Sequence, residues 1–152
     1  MANTSTIVKP KTLQDIIDCV KIYEKLNDFS FINMSFKESV NTISQFARLN
    51  KFIRLKIEDN KIVAWILCEA SKPMHQEEVQ FQQIYYASSN TGIKAYKDVI
   101  DLHNAMIEEA KRLKINLVIS TGSHMDEKFT FTRILEKSGW QRRGYVALKR
   151  LD

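Results

Sequence analysis

The sequence predicts an α/β fold, a mixed central sheet with helices on both faces, in the order β-α-α-β-β-β-α-β-α-β. Three observations predict it. Two early segments repeat apolar residues at three- and four-residue spacing, the period of a helix. Near Phe52 the pattern switches to period two and stays extended for three strands. Beyond Gly92 helical and extended patterns alternate, adding strands by β/α steps and laying helices against a sheet. The 152 residues suit one domain, 1–152, large enough to hold a core without disulfide or metal staples.

Thr6 to Lys9 forms a short first strand, stopped by Pro10. From Thr12 onward, Leu13, Ile16, Ile17, Val20 and Tyr23 share one helix face. Phe29 to Met34 connects to a second helix. Ser35 is its N-cap, with Glu38 at the spacing of a capping box, and Phe36, Val40, Ile43 and Ala47 form its apolar stripe. Phe52 to Ile57 alternates, with Ile53, Leu55 and Ile57 on one side. Asp59-Asn60 supplies turn chemistry before Lys61 to Ala70, whose Val63–Leu67 run reads as buried on both faces.

Ser71 to Glu78 is a loop containing Pro73, and Val79 to Ala87 a third strand. Ser88 to Gly92 is a polar break. Val99, Leu102, Met106, Ala110 and Leu113 then mark the longest helix, with His103 on its exposed-leaning side. Asn116 to Thr121 is a short buried strand and Gly122-Ser123-His124 a loop. Asp126 to Ser138 is a helix ended by Gly139, and Tyr145 to Leu151 a last strand.

Composition narrows the function classes. A hydrophobic fraction of 44% and a charged fraction of 27% describe an ordinary globular protein. No apolar run approaches the roughly 20 residues that span a bilayer. Met1 to Lys11 lacks the apolar stretch of a secretory signal, so the expected compartment is the cytoplasm. Cys19 and Cys68 have no partner at metal-ligand spacing and read as reduced core thiols, so no metal is expected. A net charge of +5 favours anionic partners. With no long Lys/Arg block, RNA-binding signature or phosphate P-loop, nucleic acid is not expected among them.

The run Ile134-Leu135-Glu136-Lys137-Ser138-Gly139-Trp140 carries a family likeness. Gly139 stops a helix where a left-handed residue is cheap, and Trp140 packs the start of the next strand. With the hairpin, the strand Val79–Ala87 and the long helix before it, this ending resembles that of the GNAT N-acetyltransferase superfamily. The resemblance implies acetyl-CoA as cofactor and a small-molecule or protein amine as acceptor. The pantetheine arm would lie where the strands Val79–Ala87 and Asn116–Thr121 splay. It places Ile84, Tyr85, Tyr86, Gly92, Lys94 and Lys97 at the cofactor.

The chain departs from the family pattern at three places. The loop for the pyrophosphate holds one glycine, Gly92, and Lys94 and Lys97 offer charge where backbone donors are lost. Gln82 and Gln83 stand where a catalytic carboxylate is usual, and Leu135 where the family keeps a tyrosine acid. Candidate catalytic groups are therefore Tyr86, Glu69 and His124, the last at the sheet's carboxyl edge; Tyr85, Glu77 and Glu78 are further candidates. The chain is also similar to small GNAT-like proteins of tailed bacteriophages. That likeness implies an alternative: a non-catalytic protein acting through a protein partner or a homodimer in virion assembly, with Tyr85 or Tyr86 filling the cleft.

Overall fold

The computed structural model describes residues 5–26, 35–120, 130–142 and 151. Within them the elements follow the predicted order: β1 (Ser5–Val8), α1 (Leu13–Leu26), α2 (Phe36–Arg48), β2 (Phe52–Glu58), β3 (Lys61–Ser71), β4 (Gln80–Ser88), α3 (Gly92–Arg112), β5 (Leu117–Ser120) and α4 (Thr130–Lys137). Apart from Leu151, the expected last strand lies outside the described residues. So do the connector 29–34, the loop with His124 and the expected first turn of the last helix.

The strands form one mixed sheet in the order β1-β2-β3-β4-β5. All neighbours are antiparallel except β4 and β5, which run parallel. The β2–β3 hairpin turns on Asp59 and Asn60, with φ of 49° and 62°. Two successive left-handed residues give the turn whose twist matches that of the strands it joins.

Helices cover both faces. α1 and α2 pack on one through Val20, Ile43, Leu55, Trp65 and Leu67. α3 packs on the other through Leu102 and Met106 against Ile66, Cys68 and Phe81, and α4 lies beside it. Ala64 to Cys68 are fully buried, as expected for a strand covered on both faces. Cys19 and Cys68 are both buried thiols, and burial pushes their pKa values well up.

Helix starts follow local chemistry. At α1, Asp15 Oδ2 accepts from the backbone N–H groups of Lys11 (2.8 Å) and Thr12 (3.1 Å), and Thr12 Oγ1 accepts from Asp15 N (3.2 Å). At α2, Ser35 Oγ accepts from Glu38 N (3.3 Å). Each bond satisfies backbone donors that the helix leaves open.

One sequence expectation is overturned. His103 was placed toward solvent, yet it is 1% exposed. α3 is covered by the sheet on one flank and by α4 on another, so its buried arc is wider than one apolar stripe.

Candidate active site at the β4–β5 splay

The parallel ladder between β4 and β5 runs from Gln80↔Leu117 to Gln83↔Ser120, and Ser120 is the last residue described on β5. β4 continues to Ser88, so residues 84–88 have no strand partner on that side among the described residues. At the same level β4 changes register against its other neighbour. On β3, Leu67 pairs with Tyr85 but Cys68 pairs with Gln83, which leaves Ile84 as an extra residue. Such a bulge bends its strand and raises its twist. Ile84 and Tyr85 then both pack toward the α1/α2 cluster, with Tyr85 stacked on Trp65 at 5.8 Å. Tyr86 falls on the α3 side.

The last rung of the ladder carries a polar chain. His103 Nδ1 lies 2.8 Å from the Val99 carbonyl, so Nδ1 bears the proton and donates. Nε2 lies 3.2 Å from Ser120 Oγ, and Ser120 Oγ donates to Gln83 Oε1 at 2.7 Å. Burial lowers the His103 pKa to about 4, only partly opposed by the Val99 hydrogen bond. The spacing is that of a serine with its base. The chemistry is not, because so acidic an imidazolium marks a weak base and the hydroxyl proton is directed at Gln83. The Ser120–Gln83 bond joins β5 to β4 at this rung, while the one imidazole proton of His103 is spent inside α3, on the Val99 carbonyl.

Tyr86 lies just above this rung. Its ring packs on His103 (5.3 Å) and Phe131 (5.1 Å), and Trp140 meets His103 edge-on (5.8 Å). Its hydroxyl is buried without a hydrogen-bond partner among the described residues. Burial, and then the Asp98 and Asp101 carboxylates, push its pKa well above the phenol range, so the hydroxyl keeps its proton. A buried donor lacking an acceptor calls for an explanation.

Beyond β4, the loop leads into the N-terminus of α3. Gly92 opens the helix at φ +61°, where a side chain is strained, and a Cβ there would meet no atom within 4 Å. Thr91, the N-cap, makes no side-chain capping bond, and the first turn holds no acidic residue. Lys94 and Lys97 are exposed on the first turns. Where α1 and α2 are capped from within, α3 leaves its positive end open, which suits an anion.

Behind this loop sits a buried charge cluster that the sequence analysis did not single out. Asp98 is 0% exposed. Its Oδ1 pairs with Lys56 Nζ at 2.8 Å, and its Oδ2 accepts from Ser88 Oγ (2.6 Å) and Asn90 Nδ2 (2.8 Å). Lys56 also reaches Asp101 at 2.9 Å and Glu58 at 3.8 Å. Burial alone would lower the Lys56 pKa, but hydrogen bonds to Asp101 and Asp98 outweigh it and raise it. Ser89 is tied separately, its N–H (2.8 Å) and hydroxyl (3.1 Å) both donating to the Val63 carbonyl. The available signal was the pair Asp98 and Asp101, one helical turn apart. Lys56 gave none, since it occupies an ordinary polar position in an alternating strand.

The other sequence candidates lie elsewhere. Glu69 is half-buried on β3, opposite Gln82, with Lys51 Nζ at 3.6 Å. Glu77 and Glu78 are exposed between β3 and β4, and His124 is outside the described residues. Leu135 is buried as a packing residue, 5% exposed. Gly139 closes α4 at φ +94°, and Trp140 N returns to the Leu135 carbonyl at 3.1 Å. Among the described residues no group of three His, Cys, Asp or Glu could hold a metal. No described helix is long and apolar enough to cross a membrane.

No family model and no curated protein sequence matches this chain. Solved structures do. An aminoglycoside acetyltransferase from an uncultured soil metagenomic sample, in complex with sisomicin, superposes with a TM-score of 0.70 at 13% identity, over 99% of this chain and 97% of that one. A predicted acetyltransferase with acetyl-CoA, from Clostridium acetobutylicum, gives 0.66 at 14% identity, over 97% and 96%. A transcriptional regulator from Bacillus halodurans gives 0.76 at 12% identity, over 97% and 100%. The fold is therefore that of the GNAT acetyltransferases. At such identities the likeness shows the fold alone, and activity has to be argued from the site.

Proposed function

We propose that this chain is an acetyl-CoA-dependent N-acyltransferase that transfers an acetyl group to a small-molecule or protein amine in the cytoplasm. The observation that carries the reading is the bulge at Ile84, which bends β4 just past the Gln83↔Ser120 pair that it makes with its parallel neighbour β5. Two further features fit the same ligand. The uncapped, acid-free start of α3, with Gly92, Lys94 and Lys97, suits a pyrophosphate. The unpartnered Tyr86 hydroxyl, a donor that keeps its proton, suits the thioester end.

Acetyl-CoA supplies the activated acyl thioester. The chain's own task is orientation: the splay holds the arm and α3 the phosphates. Tyr86 offers a hydrogen bond to the oxygen or sulfur that gains negative charge. Orientation alone accounts for large rate factors when an amine attacks a thioester directly, so a dedicated carboxylate base is not required. Calorimetry with acetyl-CoA tests the reading. We expect binding, weakened by Lys94→Ala and Lys97→Ala, and a lower kcat for Tyr86→Phe. No heat and no thermal shift at millimolar acetyl-CoA would sink it.

One observation favours a second reading. Tyr86, Phe131, His103 and Trp140 pack together on the α3 side of the splay. If those rings keep the cleft closed, the chain is a non-catalytic GNAT-fold protein that works through a protein partner or a second copy of itself. Kinship with phage assembly proteins belongs to that reading. The same titration separates the two.

A further inference from the structure

We infer that Asp98 is a positioning residue, which fixes the Ser88–Gly92 loop so that the start of α3 presents its donors outward. The inference rests on the acetyl-CoA reading above and adds to it the group that shapes the phosphate site.

One carboxylate does the fixing. Asp98 Oδ2 takes both loop contacts, from Ser88 Oγ at 2.6 Å and Asn90 Nδ2 at 2.8 Å, and the Asn90 N–H in turn donates to Ser88 Oγ at 3.1 Å. The loop thus closes on a residue of the helix it precedes. Past Ser89, which is tied to the Val63 carbonyl, the link into a left-handed Gly92 has no ladder of its own, and the bonds to Asp98 define it. Lys56, held between Asp98 and Asp101, gives the buried Asp98 side chain its closest cationic partner. It also offsets negative charge behind a site meant for an anion. Asp98 touches no reacting atom, so its effect should reach binding of the nucleotide end before the chemical step.

Asn90→Ala tests this, because it cuts the loop end of the clamp and leaves the Lys56–Asp98 pair in place. Losing one hydrogen bond to a charged group should weaken acetyl-CoA binding by about tenfold. KM for acetyl-CoA should rise while kcat and the acceptor KM stay near wild type. Amide hydrogen exchange at residues 89–94, measured without ligand, should speed up. Asn90→Asp, which places a second carboxylate against Asp98, should not restore either property, whereas Asn90→Gln should restore part of both. Unchanged exchange at 89–94 in Asn90→Ala overturns the inference. So does faster exchange with undiminished acetyl-CoA affinity. If the wild type binds no acetyl-CoA, the functional reading fails by itself, and the exchange comparison still decides whether Asp98 holds the loop.

Discussion

On the α1/α2 side of the sheet, Val20, Ile43, Leu55 and Trp65 make an apolar layer. On the α3 side Lys56, Gln83, Ser88, Asp98 and His103 are as deeply buried, yet polar. The difference follows the backbone. The first side is packed by apolar side chains throughout, Ile84 and Tyr85 at the bulge included. The second covers the two places where regularity ends: the loop into Gly92 and the last rung before the splay. Apolar contact is non-directional and tolerates small shifts, whereas a satisfied hydrogen-bond network specifies one arrangement. Polar burial is therefore concentrated at the loop into Gly92 and at the Gln83–Ser120 rung.

The sharpest way to break this comparison is to truncate one residue on each side. Asp98→Ala leaves the Lys56 ammonium, 3% exposed, without its closest partner. Removing one member of a buried ion pair costs about 3–5 kcal/mol. Ile43→Ala in the apolar layer should cost about 2–5 kcal/mol, through lost transfer and a cavity. Replacing both charges together, Lys56→Met with Asp98→Leu, should recover most of the Asp98→Ala loss in urea unfolding, because no unpaired charge remains. The double replacement should still loosen the Ser88–Gly92 loop. A double variant as unstable as Asp98→Ala would mean that the pair is not what the polar side depends on.

Acid should separate the sides next. His103 is neutral when folded, with its pKa lowered from 6.5 to about 4. The unfolded chain therefore binds the extra proton between pH 6.5 and about 4. Stability is full above that window, falls as pH drops through it and levels off below. The loss amounts to roughly 3 kcal/mol, at 1.36 kcal/mol per pKa unit. Urea midpoints at pH 7 and pH 4.5 should show it, and His103→Gln should flatten the slope. An unchanged slope in that variant would place the acid sensitivity elsewhere.

How much of this could be read from the chain depends on range. The described strands, the Ser35 cap and the Gly139 stop are local patterns and emerged where expected, as did most of the helix stripes, although Leu13 is exposed. The bulge at Ile84 left no such trace. It uses no glycine, and it arises from the register of β3 against β4, a pairing between residues far apart in sequence. The burial of His103 was misjudged because one apolar stripe was counted on a helix that is covered from two directions. Nothing local marks Lys56 and Asp98 as a buried pair. Their meaning comes from meeting each other across 42 residues of chain.

The smallest expected effect compares two helix starts. Ser35 Oγ accepts from Glu38 N, so Ser35→Ala removes a working cap from α2 and should cost about 1 kcal/mol. Thr91 occupies the same position on α3 but makes no capping bond. Thr91→Ala should therefore stay within about 0.5 kcal/mol of wild type in unfolding experiments. If acetyl-CoA occupies this end, its phosphates satisfy donors that Thr91 leaves open. Acetyl-CoA should then raise the melting temperature of wild type and Thr91→Ala alike. A loss for Thr91→Ala as large as that for Ser35→Ala would show that α3 is capped from within like the other helices, and would remove the opening that the phosphate site requires.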